Sequence, residues 1–144
     1  MAILDKLNRV FRRIQSIELT RGTALVVGRI NISGTIPMDT GGLYTVFTVP
    51  AGYYFEPHLI KFRMSGGSAS SDMSGSCGTG GAANDIFTSR VFTNVRAVDD
   101  MFMVSSYGNT KRCPPGSVIS FNVTSAATGA VPIGEVTIYG ELTQ

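Results

Sequence analysis

The sequence predicts an all-β domain, a sandwich or a barrel, preceded by a single amphipathic helix. Three observations carry this expectation. From residue 18 onward, apolar residues recur with a period of two in seven or eight short runs, separated by the turn clusters "DTGG", "VPAG", "CPPG", "ATGA" and "VPIG". Strands do not alternate with helical patterns, which disfavours a parallel α/β sheet. Only "ILDKLNRVFRRIQSI", residues 3–17, follows a helical period.

The chain has 144 residues, enough for one domain with its own core. Hydrophobic residues make up 43% and charged residues 15%, a balance that excludes disorder of the whole chain. With neither an internal repeat nor a linker in view, the expected division is a helical arm, residues 1–17, and a β body, residues 18–144. The net charge of +2 is too small to mark a nucleic-acid binder. Its placement is uneven. Lys6, Arg9, Arg12, Arg13, Arg21 and Arg29 outweigh Asp5 and Glu18, whereas the remainder carries more acidic than basic residues.

In the arm, Ile3, Leu4, Leu7, Val10, Phe11, Ile14 and Ile17 fall on one helical face. Asp5, Lys6, Asn8, Arg9, Arg12, Arg13 and Ser16 fall on the other. A lone helix of about 15 residues is marginal in water, so this one needs a surface to lie on. Docking on another protein is the expected role, with Leu4, Leu7, Arg9, Val10, Phe11, Arg12, Arg13 and Ile14 as the contact residues. The alternatives are anionic lipid, nucleic-acid phosphates and the chain's own sheet. Four basic residues are few for a nucleic-acid arm. Apolar runs stay far below the roughly 20 residues of a membrane span, and arginines interrupt any signal-like core, so the chain is expected to stay where it is made.

Several strands follow in order. "TALVVGRINI" places Ala24, Val26, Gly28, Ile30 and Ile32 on one face. "LYTVFTV" sets Leu43, Thr45, Phe47 and Val49 against Tyr44, Val46 and Thr48. "HLIKFRM" sets His58, Ile60, Phe62 and Met64 against Leu59, Lys61 and Arg63. Further strands are expected over 90–98, 101–106, 117–125 and 134–142. In the last, Val136, Ile138 and Leu142 alternate with Glu135, Thr137, Tyr139 and Glu141, the pattern of a strand with one wet face. Residues 65–84 break the rhythm. Twelve of these 20 are Gly or Ser, which predicts a long exposed loop, with partner contact as the rival reading.

Chemistry-bearing patterns are sparse. "GTGGAAN" lacks the Gly-Lys-Ser/Thr and the strand–loop–helix setting of a phosphate cradle. His58 is the single histidine and belongs to no nucleophile motif. Cys77 and Cys113 are too far apart for a zinc pattern and are expected as free thiols. Asp72, Asp99 and Asp100 lack the spacing of a calcium loop and read as turn carboxylates. No catalytic residue, metal or cofactor is therefore expected. Tyr53 and Tyr54, in "AGYYFEP", are the one tyrosine cluster that could make a surface contact, although anchoring a strand entry is the simpler role.

Three stretches carry a resemblance: "FTVPAGYYFEPHLIKFRM", "GGAANDIFTSRVF" and "CPPGSVISFNVTSAATGAVPIGEVTIYGEL". Their strand–turn–strand layout, over residues 23–142, resembles small jelly-roll virion proteins of tailed bacteriophages, the head decoration (cement) proteins in particular. The resemblance implies an antiparallel jelly-roll-like β-sandwich of about eight strands after the helix. It also implies a non-enzymatic homotrimer in the virion, assembled in the host cytoplasm, that bridges neighbouring capsid subunits. An N-terminal arm reaching a neighbouring subunit would fit the helix, and the expected partners are capsid or other virion proteins. The rival expectation is a tail- or fibre-associated sandwich that recognises host glycan.

Overall fold

The computed structural model describes residues 26–105 and 111–144. The expected arm, residues 1–17, lies outside them. The described residues form eight strands and no helix: β1 (Val26–Pro37), β2 (Gly42–Thr48), β3 (Tyr54–Ala69), β4 (Met73–Thr79), β5 (Phe87–Phe92), β6 (Met101–Ser105), β7 (Val118–Ser125) and β8 (Gly129–Thr143). They build an antiparallel β-sandwich of two four-stranded sheets, ordered β1-β8-β3-β6 and β2-β7-β4-β5. The pairs β1·β8, β2·β7, β3·β6 and β4·β5 are those of one long antiparallel ribbon. Pairing of β3 with β8, and of β4 with β7, rolls that ribbon into two sheets.

Period-two patterning decides what faces inward. From the first sheet, Ile36, Ile60, Phe62, Met64, Val104, Val136 and Ile138 are buried. From the second, Met73, Cys77, Phe87, Phe92, Ile119, Phe121 and Val123 are buried. The two layers meet through aromatic rings. Phe62 of the first sheet stands 5.5 Å from Phe121 and 5.1 Å from Phe92 of the second, and Phe92 reaches back to Phe102 at 4.9 Å. Each such buried side chain stabilises the fold by roughly 1.5–3 kcal/mol before ordering costs.

Glycine makes room for these rings. A Cβ on Gly75 would lie 2.6 Å from Phe121 Cζ, and one on Gly134 would overlap the Phe62 ring outright. This corrects the expectation of a long exposed loop over residues 65–84. Much of that stretch is strand: the end of β3 and all of β4, with Met73, Gly75, Ser76, Cys77 and Gly78 buried. Its small residues pack under Phe121 and against the Asp85 backbone. Gly67, at φ +70°, lies against the carbonyls of Ala130 and Val131, a backbone conformation and an approach that a side chain would forbid.

Other departures have the same local origin. The strand expected over 90–98 is β5, Phe87–Phe92, and residues 93–100 turn back instead. In β2 the register slips between Thr45 and Phe47. The extra residue switches faces, so that Tyr44 and Val46 pack on the core as well as Phe47 and Val49. In β3 the register slips between Pro57 and Leu59, and His58, expected on the face of Ile60, is turned outward. The alternation expected for β8 holds for Val136 and Ile138, buried, against Glu135, Tyr139 and Glu141, half-buried, whereas Thr137, expected on the wet face, is buried with its hydroxyl 3.0 Å from that of Ser33, and Leu142 is only half-buried.

Gly75→Ala and Gly134→Ala are each expected to lower the unfolding free energy by about 1–3 kcal/mol, because Phe121 or Phe62 must leave its rotamer. Gly81→Ala, in open space, serves as the control. Urea denaturation of the three variants checks this, and an unchanged midpoint for Gly75→Ala would refute the close-packing account.

Candidate functional site

Among the described residues, no group of three or more His, Cys, Asp or Glu could hold a metal ion. His58 projects from the β3 bulge with its Nε2 3.6 Å from a Glu141 carboxylate oxygen. Cys77 and Cys113 are both buried free thiols. Burial, with Cys113 and Asp85 nearby, pushes Cys77 up to about 12, and burial with Asp85 nearby pushes Cys113 up to about 11. Such thiols are poor nucleophiles at neutral pH.

The aspartates bind their own chain. Asp99 pairs with Arg63 at 2.9 Å, Asp72 with Arg96 at 3.1 Å, and Asp100 accepts the N–H groups of Ala97 (2.8 Å) and Arg96 (3.0 Å). Together they organise the turn at 93–100. Asp85 closes the β4–β5 turn. It accepts the Thr79 backbone N–H at 2.6 Å and the Thr79 hydroxyl at 2.5 Å, and pairs with Lys111 at 3.0 Å. Burial raises the Asp85 carboxyl, but the Thr79 hydrogen bonds and Lys111 outweigh it and hold the group below the usual 3.8. The Arg96 hydrogen bond lowers Asp72, and the two backbone N–H groups lower Asp100.

What remains as candidate function is surface. The outer face of the first sheet carries a shallow depression of about 450 Å³, lined by Arg29, Asn31, His58, Leu59, Tyr139 and Glu141. Register brings Asn31, Tyr139 and Leu59 side by side across β1, β8 and β3. Lys61 lies over the Tyr139 ring at 5.9 Å. Tyr53 and Tyr54 are half-buried at the entry to β3. Arg112 stacks on the Tyr54 ring at 3.9 Å and reaches Glu56 at 3.8 Å, so one face of that ring is already occupied. Along the far edge of the same sheet, β6 exposes Met101 and Met103, with Val98 exposed in the turn before it. Sequence reading placed a strand at 101–106 without finding this apolar edge, because which side of "MFMVS" faces out depends on its register against β3.

The proposed docking residues Leu4, Leu7, Arg9, Val10, Phe11, Arg12, Arg13 and Ile14 lie outside the described residues. Among the described residues the chain begins with β1, at the margin of its sheet opposite β6.

The carboxylates set an acid limit. A carboxylate with a depressed folded pKa adds stability that is complete above its unfolded value and is lost as pH falls through the folded one. The unfolding temperature is therefore expected to hold down to about pH 4 and to drop below it, as Asp85, Asp72 and Asp100 take up protons. Asp85→Asn should lower it at pH 7 and flatten the acid drop. Thermal melts at several pH values check this, and an acid drop unchanged in the variant would remove Asp85 from the account.

No protein-family model matches the chain, and no curated protein matches it in sequence. Solved structures share its fold. A chain of the acidic stable capsid structure of Helicobacter pylori bacteriophage KHP30 superposes with a TM-score of 0.59 at 14% identity, covering 83% of this chain and 91% of that one. A chain of the capsid of Ralstonia phage GP4 gives 0.55 at 11% identity, with coverages of 81% and 85%. A chain of the cyanophage Pam1 capsid asymmetric unit gives 0.53 at 14% identity, with coverages of 79% and 84%. In each case most of one chain matches most of the other, so the likeness is to a small chain of similar length and not to one domain of a large one. The protein thus shares its fold with capsid chains of three bacteriophages.

Proposed function

We propose that the chain is a structural protein of a bacteriophage virion, a decoration (cement) protein that binds the assembled shell and bridges neighbouring subunits. The observation that carries this reading is the chain-to-chain likeness to small chains of three phage capsids. The strand order supports it: β1-β8-β3-β6 facing β2-β7-β4-β5 is the order of a jelly roll, a fold that recurs in viral capsid domains. On this reading the protein acts as a homotrimer in the virion, is assembled in the host cytoplasm, and catalyses nothing. Binding the assembled shell but not its separated subunits stabilises the assembly by mass action. Residues 1–17 form the docking arm and the sandwich is its rigid base.

The glycan-binding alternative has less support. The chain has no Trp, Arg112 covers one face of Tyr54, and Lys61 lies over Tyr139.

Deleting residues 1–17 is expected to leave a folded sandwich that no longer sediments with phage particles. Apolar burial is worth roughly 1.5–3 kcal/mol per side chain, against about 0–1 kcal/mol for an exposed ion pair. Leu7→Asp or Phe11→Asp should therefore release the protein far more than Arg12→Ala. Release by the arginine change alone would identify an electrostatic anchor to lipid or nucleic acid instead. His58→Ala should sediment like the parent, and loss of a measurable turnover in that variant would overturn the non-catalytic assignment.

A further inference from the structure

Peroxides attack sulfur, and the chain carries it in six methionines and two cysteines. Cysteine is ordinarily the first to react, because its thiolate is the stronger nucleophile. Here the cysteines are withheld. Cys77 and Cys113 are both buried free thiols. Burial keeps them protonated, with Cys77 pushed up to about 12 and Cys113 to about 11, so thiolate is scarce at neutral pH. A thioether has no proton to lose before it reacts, which leaves exposure to decide among the methionines.

The described methionines fall into two sets. Met38, Met64 and Met73 are fully buried, whereas Met101 is 53% and Met103 58% exposed. The exposed pair stands two residues apart on β6, so both side chains leave the sheet on its outer face. Phe102 and Val104 take the inward positions, Val104 buried and Phe102 4.9 Å from Phe92. The packing of β6 on the core therefore uses neither thioether. Register sets Met103 beside Lys61 and Met101 beside Arg63 of β3. Opposed residues share a face, with Cβ atoms about 4.5–5.5 Å apart, so each methionine has a side chain with N–H donors as its neighbour. Arg63 is engaged by Asp99 at 2.9 Å and by Glu135 at 3.5 Å. Lys61 lies over the Tyr139 ring at 5.9 Å, near the outer limit of about 6 Å for such a contact, a loose hold that leaves its ammonium free to turn.

We propose that Met101 and Met103 are a paired oxidation site, converted to methionine sulfoxide by hydrogen peroxide while the sandwich stays folded. In each step the thioether sulfur attacks one peroxide oxygen, the O–O bond breaks and an S–O bond forms. Sulfur gives up two electrons, and the peroxide is reduced to a water that carries both of its protons. The product replaces a flexible apolar side chain with a polar one whose oxygen is a strong acceptor. On this face that oxygen meets water and, at Met103, the Lys61 ammonium, which donates to it. The outer strip of β6 changes from apolar to polar with no loss from the core. Methionine sulfoxide reductases return it to the thioether, so the change is reversible. The site does not rest on the virion reading.

Peptide mass spectrometry after timed treatment of the full, folded chain with hydrogen peroxide tests it. Met101 and Met103 should each gain one oxygen at least about tenfold faster than Met38, Met64 and Met73, which react only when the core opens. On native hydrophobic-interaction chromatography the oxidised chain should elute earlier, and the reductases should restore its position. A chain carrying Met101→Leu and Met103→Leu keeps the apolar strip but has no sulfur there, so peroxide should leave its elution unchanged. Circular dichroism and the urea midpoint of the parent should be the same before and after oxidation. A first oxygen at a cysteine or at a buried methionine would overturn the proposal, as would unfolding of the parent as Met101 and Met103 react. An elution shift of equal size in the leucine variant would overturn it too, because the polar change would then lie elsewhere.

Discussion

The fold depends on the contact between Phe62 of one sheet and Phe121 and Phe92 of the other. These rings are fully buried: Phe62 stands on β3, which pairs with both β8 and β6, Phe121 on β7, which pairs with both β2 and β4, and Phe92 on β5, beside β4. Tight ring packing requires that nothing stand between ring and backbone. Gly134 lies against the Phe62 ring and Gly75 against the Phe121 ring for that reason. A glycine in a strand costs conformational entropy and contributes no side chain to the core. Here the cost is offset by the close approach of an aromatic ring, which buries far more apolar area than the alanine it displaces.

Once that core is set, the outer faces are free to be polar. Arg63 with Asp99 and Glu135, Arg29 with Glu141, and Arg112 with Glu56 lie on or near the surface. Exposed pairs of this kind contribute little to stability. Their effect is positional: they order side chains over the outer face of the first sheet and hold the turn that precedes β6. The aspartates follow the same logic. Asp72, Asp85, Asp99 and Asp100 are held in turns by backbone N–H groups or arginines, and the described residues bring no carboxylates together as a metal site.

Among the described residues, which hold no metal-binding cluster, the outer faces of the sandwich are what is left to meet a partner. Within each sheet strands far apart in sequence are paired, and the two sheets meet through the buried core. β1 and β6 then mark opposite margins of one sheet. One is the first described strand of the chain, and the other exposes Met101 and Met103. The fold is one that small chains of phage capsids share.

The sequence by itself determined the β class, the absence of strand–helix alternation, and the faces of β8 and most of β3. Each follows from an uninterrupted period of two. It did not determine the faces of residues beside a bulge, because one inserted residue inverts the alternation and leaves no trace in hydropathy. His58 and Tyr44 were misplaced for that reason. Nor could it reveal that "SGGSASSDMSGSCGTGG" is largely strand. Glycine and serine there answer to the size of Phe121 on a neighbouring strand, a demand that exists only once β4 and β7 are paired. The exposed methionines of β6 belong to the same class. "MFMVS" reads as an ordinary strand, and only its register against β3 decided that Met101 and Met103 face outward.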